Sequence, residues 1–411
     1  MIRSLLLMAM PTAWAHDGSK TCSFLDAYPR RYPVYNLGTA KVTVDGRLDE
    51  AAWAEVPWSE PFVDIQGPQF WSQPWFSTRV KMRYDDTFLY IGAYMEETEV
   101  WANMTHRNDV VFYDNDFEIF VDPTGSTHGY KEFEINAINT TWNLLLDKPY
   151  RDDGHENSTR VDPVYGFDLL PFGLHSAVYM KGSPNIPQQR AKYWTTEVAL
   201  PLEGLVAGTA AVAPPRDKSF WRINFSRVEY VVQVVDDAYQ KVPGLSEENW
   251  AWSPQGAIAM HMPEKWGYVQ FRNEAVPKDI SPVPYDEHWA ARYLAFQVYY
   301  AQAACRSKTK AYAATLAELT PFFMTTNTAE VLGCLDAHWT VSTGINCGDV
   351  KQCVGFKRLV CGHCLLADGQ KTNCANHSRR PFDGHFQFIM SATIQNHLVD
   401  DLHLVYGCNE W

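Results

Sequence analysis

The chain has 411 residues, is 46% hydrophobic and 14% aromatic, and carries a formal net charge of −13. That length allows two domains, each with a core of its own. The acidic balance argues against nucleic acid, because binding phosphates depends on Lys and Arg displacing counterions. No apolar run reaches the ~18 residues of a membrane span.

Met1-Ile-Arg, an apolar run from Leu5 to Met10 and the small-residue pattern Ala13-Trp14-Ala15 predict a signal peptide over 1–15, cut after Ala15, and a secreted, extracellular protein. In a eukaryotic source, glycosylation sequons at Asn103, Asn139, Asn157, Asn224 and Asn376 point to the same compartment. Residues 16–39 read as an N-terminal segment.

From 40 to 273, short alternating apolar runs are separated by Gly, Pro, Asn and Asp, the pattern of antiparallel strands. Val80 to Tyr84 and Phe88 to Tyr94 form a hairpin with Asp85-Asp86 at its turn. Phe117 to Val121 runs into Asp122-Pro123-Thr124-Gly125, where Pro presets φ and Gly accepts positive φ. Further strands follow at Glu132 to Asn136, near His175 to Met180, at Tyr193 to Leu200 and Trp221 to Val228, and at Trp266 to Phe271. Many short strands at regular spacing predict a mainly β chain built on an antiparallel β-sandwich.

Pro-rich residues 274–284 read as a linker or crossing segment. Beyond them, Trp289, Tyr293, Phe296 and Tyr300 recur at helical spacing between Pro284 and Pro321, which predicts a long helix with a core-facing aromatic stripe. Of the nine cysteines only Cys22 precedes residue 300. The clustered remainder suggests a disulfide-rich α+β domain over 285–411, with two late strands at Phe386 to Met390 and Leu402 to Tyr406. Cys361-Gly-His363-Cys364, with Cys353 and Cys374 nearby, also has zinc-like spacing.

On the strand through Glu134, the polar residues Glu132, Glu134 and Asn136 alternate with Phe133, Ile135 and Ala137, and Glu118 has the same parity on its own strand. Trp71, Trp75, Phe112, Tyr113, Trp142, Trp250 and Trp252 sit in polar, loop-like settings, where a ring can stack on the C–H face of a sugar while Asn, Glu, Asp and Arg take its hydroxyls.

These pieces come together in one family. Val44-Asp45-Gly46-Arg47-Leu48-Asp49-Glu50-Ala51-Ala52-Trp53, the Val80 to Tyr90 hairpin, Asn115 to Asp122, Glu134-Ile135-Asn136 and Thr196 to Pro201 resemble, in order, the motifs of family 9 carbohydrate-binding modules. Trp221 to Arg227 and Asn249 to Gly256 resemble a secreted family 9-like subgroup. The resemblance implies a β-sandwich that binds a polysaccharide or oligosaccharide, in support of carbohydrate catabolism or wall attachment. A Glu falls on Glu118, a strand Asn on Asn136, one stacking ring on Trp250 or Trp252 and the other on Phe112 or Tyr113. Glu134 stands where the family has Arg, and Asn143, Arg227 and Asn249 are flanking polar candidates. No cofactor is required, but the resemblance implies structural calcium, for which Asp45, Asp49, Asp116, Asp122, Asp152 and Asp153 offer hard oxygen ligands.

Three other readings compete. A glycoside hydrolase would use Glu118 with Glu134 or Asp116 as its carboxylate pair, at a separation that sets the stereochemical outcome. Haem binding would draw on His106, His128, Met82 and Met95. A structural or adhesive surface protein would carry a decayed sugar site.

Overall fold

The computed structural model describes residues 22–70, 72–325 and 327–337, and beyond them the backbone of short strands between 339 and 405. The predicted signal peptide, Trp71, Asn376 and the Cys361–His363 segment lie outside the described residues, as do the side chains of Cys353 and Cys364. Tyr28–Tyr285 form one compact unit; the described residues through Ala27 and from Asp286 belong to a second.

The first unit is built on strands β1 (Arg31–Asn36), β2 (Val63–Asp64), β3 (Thr78–Tyr84), β4 (Phe88–Glu96), β5 (Asp116–Asp122), β6 (Tyr130–Asn136), β7 (Thr141–Leu146), β8 (Glu156–Asn157), β9 (His175–Lys181), β10 (Tyr193–Pro201) and β11 (Phe220–Glu229). A small hairpin, β12 (Val232–Val235) with β13 (Ala238–Lys241), is followed by β14 (Glu248–Ala251) and β15 (Gly267–Arg272). Apart from the hairpin, these form one 13-stranded sheet in the order β8-β7-β6-β5-β11-β15-β1-β3-β4-β10-β9, with β14 joining β11 to β2. The sheet curls so that both arms share one core. Phe117, Ile119, Phe133, Ile135, Ile223 and Phe225 from one arm and Val80, Met82, Ile91, Trp194, Val198 and Leu200 from the other belong to a single buried cluster. Fully burying an aliphatic or Phe side chain contributes about 1.5–3 kcal/mol, so this inner face dominates stability.

The turns form as their residues dictate. Asp85 Oδ1 accepts the Thr87 and Phe88 N–H groups, each at 2.8 Å, closing the β3–β4 hairpin. Asp122 Oδ1 accepts from Thr124 N and Gly125 N, and its Oδ2 from Thr127 N at 2.7 Å, while Gly125 takes φ +66°. The Val44 to Trp53 and Thr196 to Pro201 motifs meet at Glu197. Its Oε1 accepts the Trp53 indole N–H at 2.7 Å, and its Oε2 accepts the Asp45 and Gly46 N–H groups, each at 2.9 Å. Gly46 sits at φ +86°, and a Cβ there would come within 2.5 Å of Tyr179 N.

The structure differs from the sequence reading at two places and decides a third that the sequence left open between linker and crossing segment. Arg31–Asn36, read as part of an N-terminal segment, lies inside the sheet and pairs in parallel with both β15 and β3, so the sheet is not purely antiparallel. Pro33 is tolerated because the β3 pairing begins only at Tyr35, leaving its missing N–H on an unpaired side. The Pro-rich 274–284 segment is a crossing segment tied to the sheet: Arg272 donates to Ser281 O at 3.0 Å and Pro282 O at 3.3 Å, and Arg31 donates to Val283 O. Asn224, read as a sequon, is fully buried with its amide nitrogen on Ser253 O at 2.8 Å, so it cannot carry a glycan; Asn103, Asn139 and Asn157 are exposed.

In the second unit, the predicted helix is Trp289–Thr309. Trp289, Tyr293 and Phe296 are buried; Phe24 stacks on Tyr293 at 4.6 Å, and the Trp289 indole donates to Phe24 O. The helix ends at Lys310, in the left-handed conformation, well before Pro321. Cys22 is bonded to Cys334 across 312 residues, and Cys305 is a buried free thiol. The isolated N-terminal cysteine is therefore part of the cysteine-rich unit. The late strands occur at Phe388–Ile394 and His403–Val405, in a four-stranded sheet with Trp339–Ile345 and Cys353–Gly355. The long helix lies against Phe388–Ile394.

Candidate functional site

Strand register places the polar residues. Across β7, β6, β5, β11 and β14, Trp142 opposes Glu134, Glu134 opposes Glu118, Glu118 opposes Ser226 and Ser226 opposes Ala251. One row along the same face, Asn136 opposes Asp116; on the other side lie Glu132 and Phe120. This face turns away from the main core. It is covered in part by a second apolar cluster that includes Ile65, Val111, Phe120, Trp142, Leu144, Met260 and Trp266.

Asp116, Glu118, Glu132 and Glu134 are all buried. Like charges directly opposite one another on a sheet repel, and burial adds a desolvation penalty for each. Burial pushes the Glu118 carboxyl up to about 7. Asp116, Glu132 and Glu134 are driven well above the ordinary range, first by burial and then by the charge of Glu118. Carboxylate oxygens of Asp116, Glu118 and Glu134 lie within 4.8 Å of one another. From the cover, Phe112 N donates to Glu134 Oε2 at 3.2 Å.

Phe112 and Tyr113 belong to a short 3-10 turn, Val111–Tyr113. Phe112 is partly buried, and Tyr113 is 50% exposed with its ring 4.9 Å from that of Phe112. Tyr230 donates to Phe112 O at 3.1 Å. From the β12–β13 hairpin, the Lys241 ammonium lies 3.4 Å from the Tyr230 ring centre, 5.3 Å from Trp101 and 5.8 Å from Tyr113. Burial lowers its pKa. Neither Lys241 nor Tyr230 was a candidate from the sequence. No local pattern connects a hairpin near residue 240 with a turn near 112.

Several candidates are placed elsewhere. Trp250, Trp252, Arg227 and Asn143 have the opposite parity and point into the core side of the sheet. Trp250 and Trp252 are fully buried, so neither offers a face to a sugar, and Trp252 Nε1 donates to Glu60 at 3.1 Å. Arg227 is spent on Glu229 at 2.8 Å, Glu97 at 3.2 Å, Thr78 Oγ1 and Glu96 O. Asn143 Oδ1 accepts from Arg107 and from Leu169 N. Asn136 shares the acidic face, but its amide is used up in a turn: it donates to Met104 O and Asp114 Oδ2 and accepts from Ile138 N and Thr140 N. Asn249 is half-buried in the row of Asp116. Trp75, 46% exposed, meets Trp250 edge-on at 4.9 Å and lines a cavity of about 160 Å³.

The calcium candidates do not converge. Asp45 and Asp122 hold turns, Asp49 is exposed, Asp152 faces Arg151 and Asp153 is a left-handed cap, so of the six only Asp116 joins the acidic cluster. Nor do the haem candidates: Met82 and Met95 are in the core, while His106 lies on an exposed turn.

Residues 44–168 match the family model described as Carbohydrate family 9 binding domain-like. This segment resembles a family 9 carbohydrate-binding domain. It spans β2 to β8 and carries the whole acidic cluster. Solved structures similar to the chain include a candidate carbohydrate-binding protein from Bacteroides uniformis, 15% identical, covering 59% of this chain and 100% of its own at a TM-score of 0.40. A family 9 module from Caldicellulosiruptor kristjanssonii, solved with cellotriose and with glucose, is 14% identical, covering 62% of this chain and 100% of its own at a TM-score of 0.37. No curated protein matches.

Proposed function

We propose that this chain is a secreted carbohydrate-binding protein that takes a polysaccharide or an oligosaccharide at the rim formed by Phe112 and Tyr113, beside the Glu118 and Glu134 row. The observation that carries the reading is the family 9-like match, whose residues include both the exposed ring and the acids. Tyr113 offers an aromatic face for the C–H side of a pyranose. Half-buried Asn249 and Lys241 supply polar groups, the Lys241 ammonium 5.8 Å from the Tyr113 ring. The buried acids act behind that rim, because a sugar reaches Glu118 only if the Val111–Tyr113 turn, held by Phe112 N on Glu134, moves outward.

Glycosyl hydrolysis is the second reading, favoured by one observation: Glu118 and Glu134 face each other across two strands, and burial raises both carboxyls, as the general acid of such a pair requires. It ranks lower because both carboxyls are buried, and the chemistry needs them on either side of a bound glycosidic bond.

The test uses the purified protein with cellulose, xylan, chitin, mannan and soluble oligosaccharides, following depletion from solution and release of reducing ends. Binding without release, lost in a Phe112→Ala/Tyr113→Ala variant that keeps its melting temperature, supports the rim. Release abolished by Glu118→Gln makes the pair catalytic. Parental binding by the double variant removes the rim from consideration.

A further inference from the structure

We propose that Asp116, Glu118 and Glu134 hold a divalent cation of the hard, oxygen-seeking kind, calcium in the first instance, between β5, β6 and the Val111–Tyr113 turn. The site stands on the carboxylates themselves and does not depend on a sugar binding at the rim.

The spacing fits. Calcium takes oxygens at about 2.3–2.6 Å, so ligands on opposite sides of the ion stand about 5 Å apart at most. Oxygens of all three carboxylates lie within 4.8 Å of one another, with no backbone movement required. The residues come from adjacent positions of one antiparallel pair, Glu118 directly opposite Glu134 and Asp116 two residues along, so the ladder itself fixes the spacing.

The second observation is an unanswered oxygen. Asp116 is fully buried; its Oδ1 accepts Val228 N at 3.3 Å, and its Oδ2 has no hydrogen-bond partner. Fully buried Asp114, the cap of the Val111–Tyr113 turn just before β5, leaves its Oδ1 without a partner as well. A buried carboxylate oxygen with no donor is among the costliest polar groups a fold can carry. Among the described residues, no Lys or Arg forms an ion pair with any of the three ligands; the neighbouring guanidinium groups are committed elsewhere, Arg107 to Asp168 and Arg227 to Glu229 and Glu97. A cation would answer the Asp116 oxygen and the mutual repulsion together. Three carboxylates supply between three and six oxygens, and Glu132 borders the site, so water completes the 6 to 8 that calcium prefers.

The full-length protein, stripped with EDTA, is titrated with terbium, which occupies calcium sites. Trp142, directly across the ladder from Glu134, serves as the sensitiser. The expected result is sensitised emission that saturates at one ion per chain and is displaced by calcium, together with a melting temperature that rises with calcium concentration as linkage requires. Asp116→Asn and Glu134→Gln each weaken binding at least about tenfold, which corresponds to ~1.4 kcal/mol. Both variants relieve like-charge repulsion, so they fold without the ion, as near-ultraviolet circular dichroism checks; Glu118→Gln is the reserve if either does not. Exposed Glu247→Gln leaves binding at the parental level. Absence of both emission and thermal shift at millimolar calcium, manganese or magnesium overturns the proposal, with the acids then sharing protons. Parental affinity in both folded variants overturns it equally, by moving the ion elsewhere.

Discussion

Replacing Glu197 with Gln tests how the domain is held together. The carboxylate is fully buried and answers three donors: the Trp53 indole and the Asp45 and Gly46 backbone N–H groups. A Gln offers one acceptor oxygen and turns an NH2 group toward the donors that remain. At least one donor is stranded, costing about 1–3 kcal/mol, which lowers the melting temperature by roughly 2–12 °C for a unit of this size. The pH dependence gives a second handle. Burial pushes the Glu197 carboxyl from its ordinary value of 4.5 up to about 7, outweighing the hydrogen bonds it accepts. The folded state thus holds this proton more tightly than the unfolded chain. Stability from this group is greatest below about 4.5, falls as pH rises to about 7 and is level above that. Urea unfolding at pH 5 and pH 8 should show the parent losing stability across the interval by a margin that Glu197→Gln lacks, so that the gap between them narrows as pH rises. A variant with the parental midpoint, or a gap that widens with pH, refutes the reasoning.

Trp250→Ala, which empties a fully buried indole site, should cost about 3–5 kcal/mol in denaturant unfolding; any loss of sugar binding in that variant then reports folding rather than stacking. Gly46→Ala puts a Cβ against Tyr179 N in a backbone conformation that disfavours side chains and should cost about 3 kcal/mol or more by the same assay. Reducing Cys22–Cys334 opens a loop of 312 residues, for which chain entropy alone predicts about 6 kcal/mol. Calorimetry of the reduced and oxidised protein should show that loss.

Local pattern carried much of the architecture. Alternation with a period of two marked β3, β4, β5, β6, β10, β11 and β15 because one face of each strand is apolar, and helical spacing of Trp289, Tyr293 and Phe296 marked the long helix for the same reason. Asp85 and Asp122 announced their turns, since a carboxylate satisfies nearby N–H groups without help from the rest of the chain. The same alternation put Glu118 and Glu134 on polar faces. It did not reveal that they oppose each other, because register is settled by pairing between strands. Trp250 and Trp252 flank Ala251 and so had to share a face, but only the curl of the sheet decided that this face is the core. Pairing also placed β1 inside the sheet and joined Cys22 to Cys334. Sequence determined which segments could be strands or helices and which residues could bind; burial and register, which depend on distant parts of the chain, decided that the acids converge while most of the expected sugar-binding side chains are committed to holding the fold.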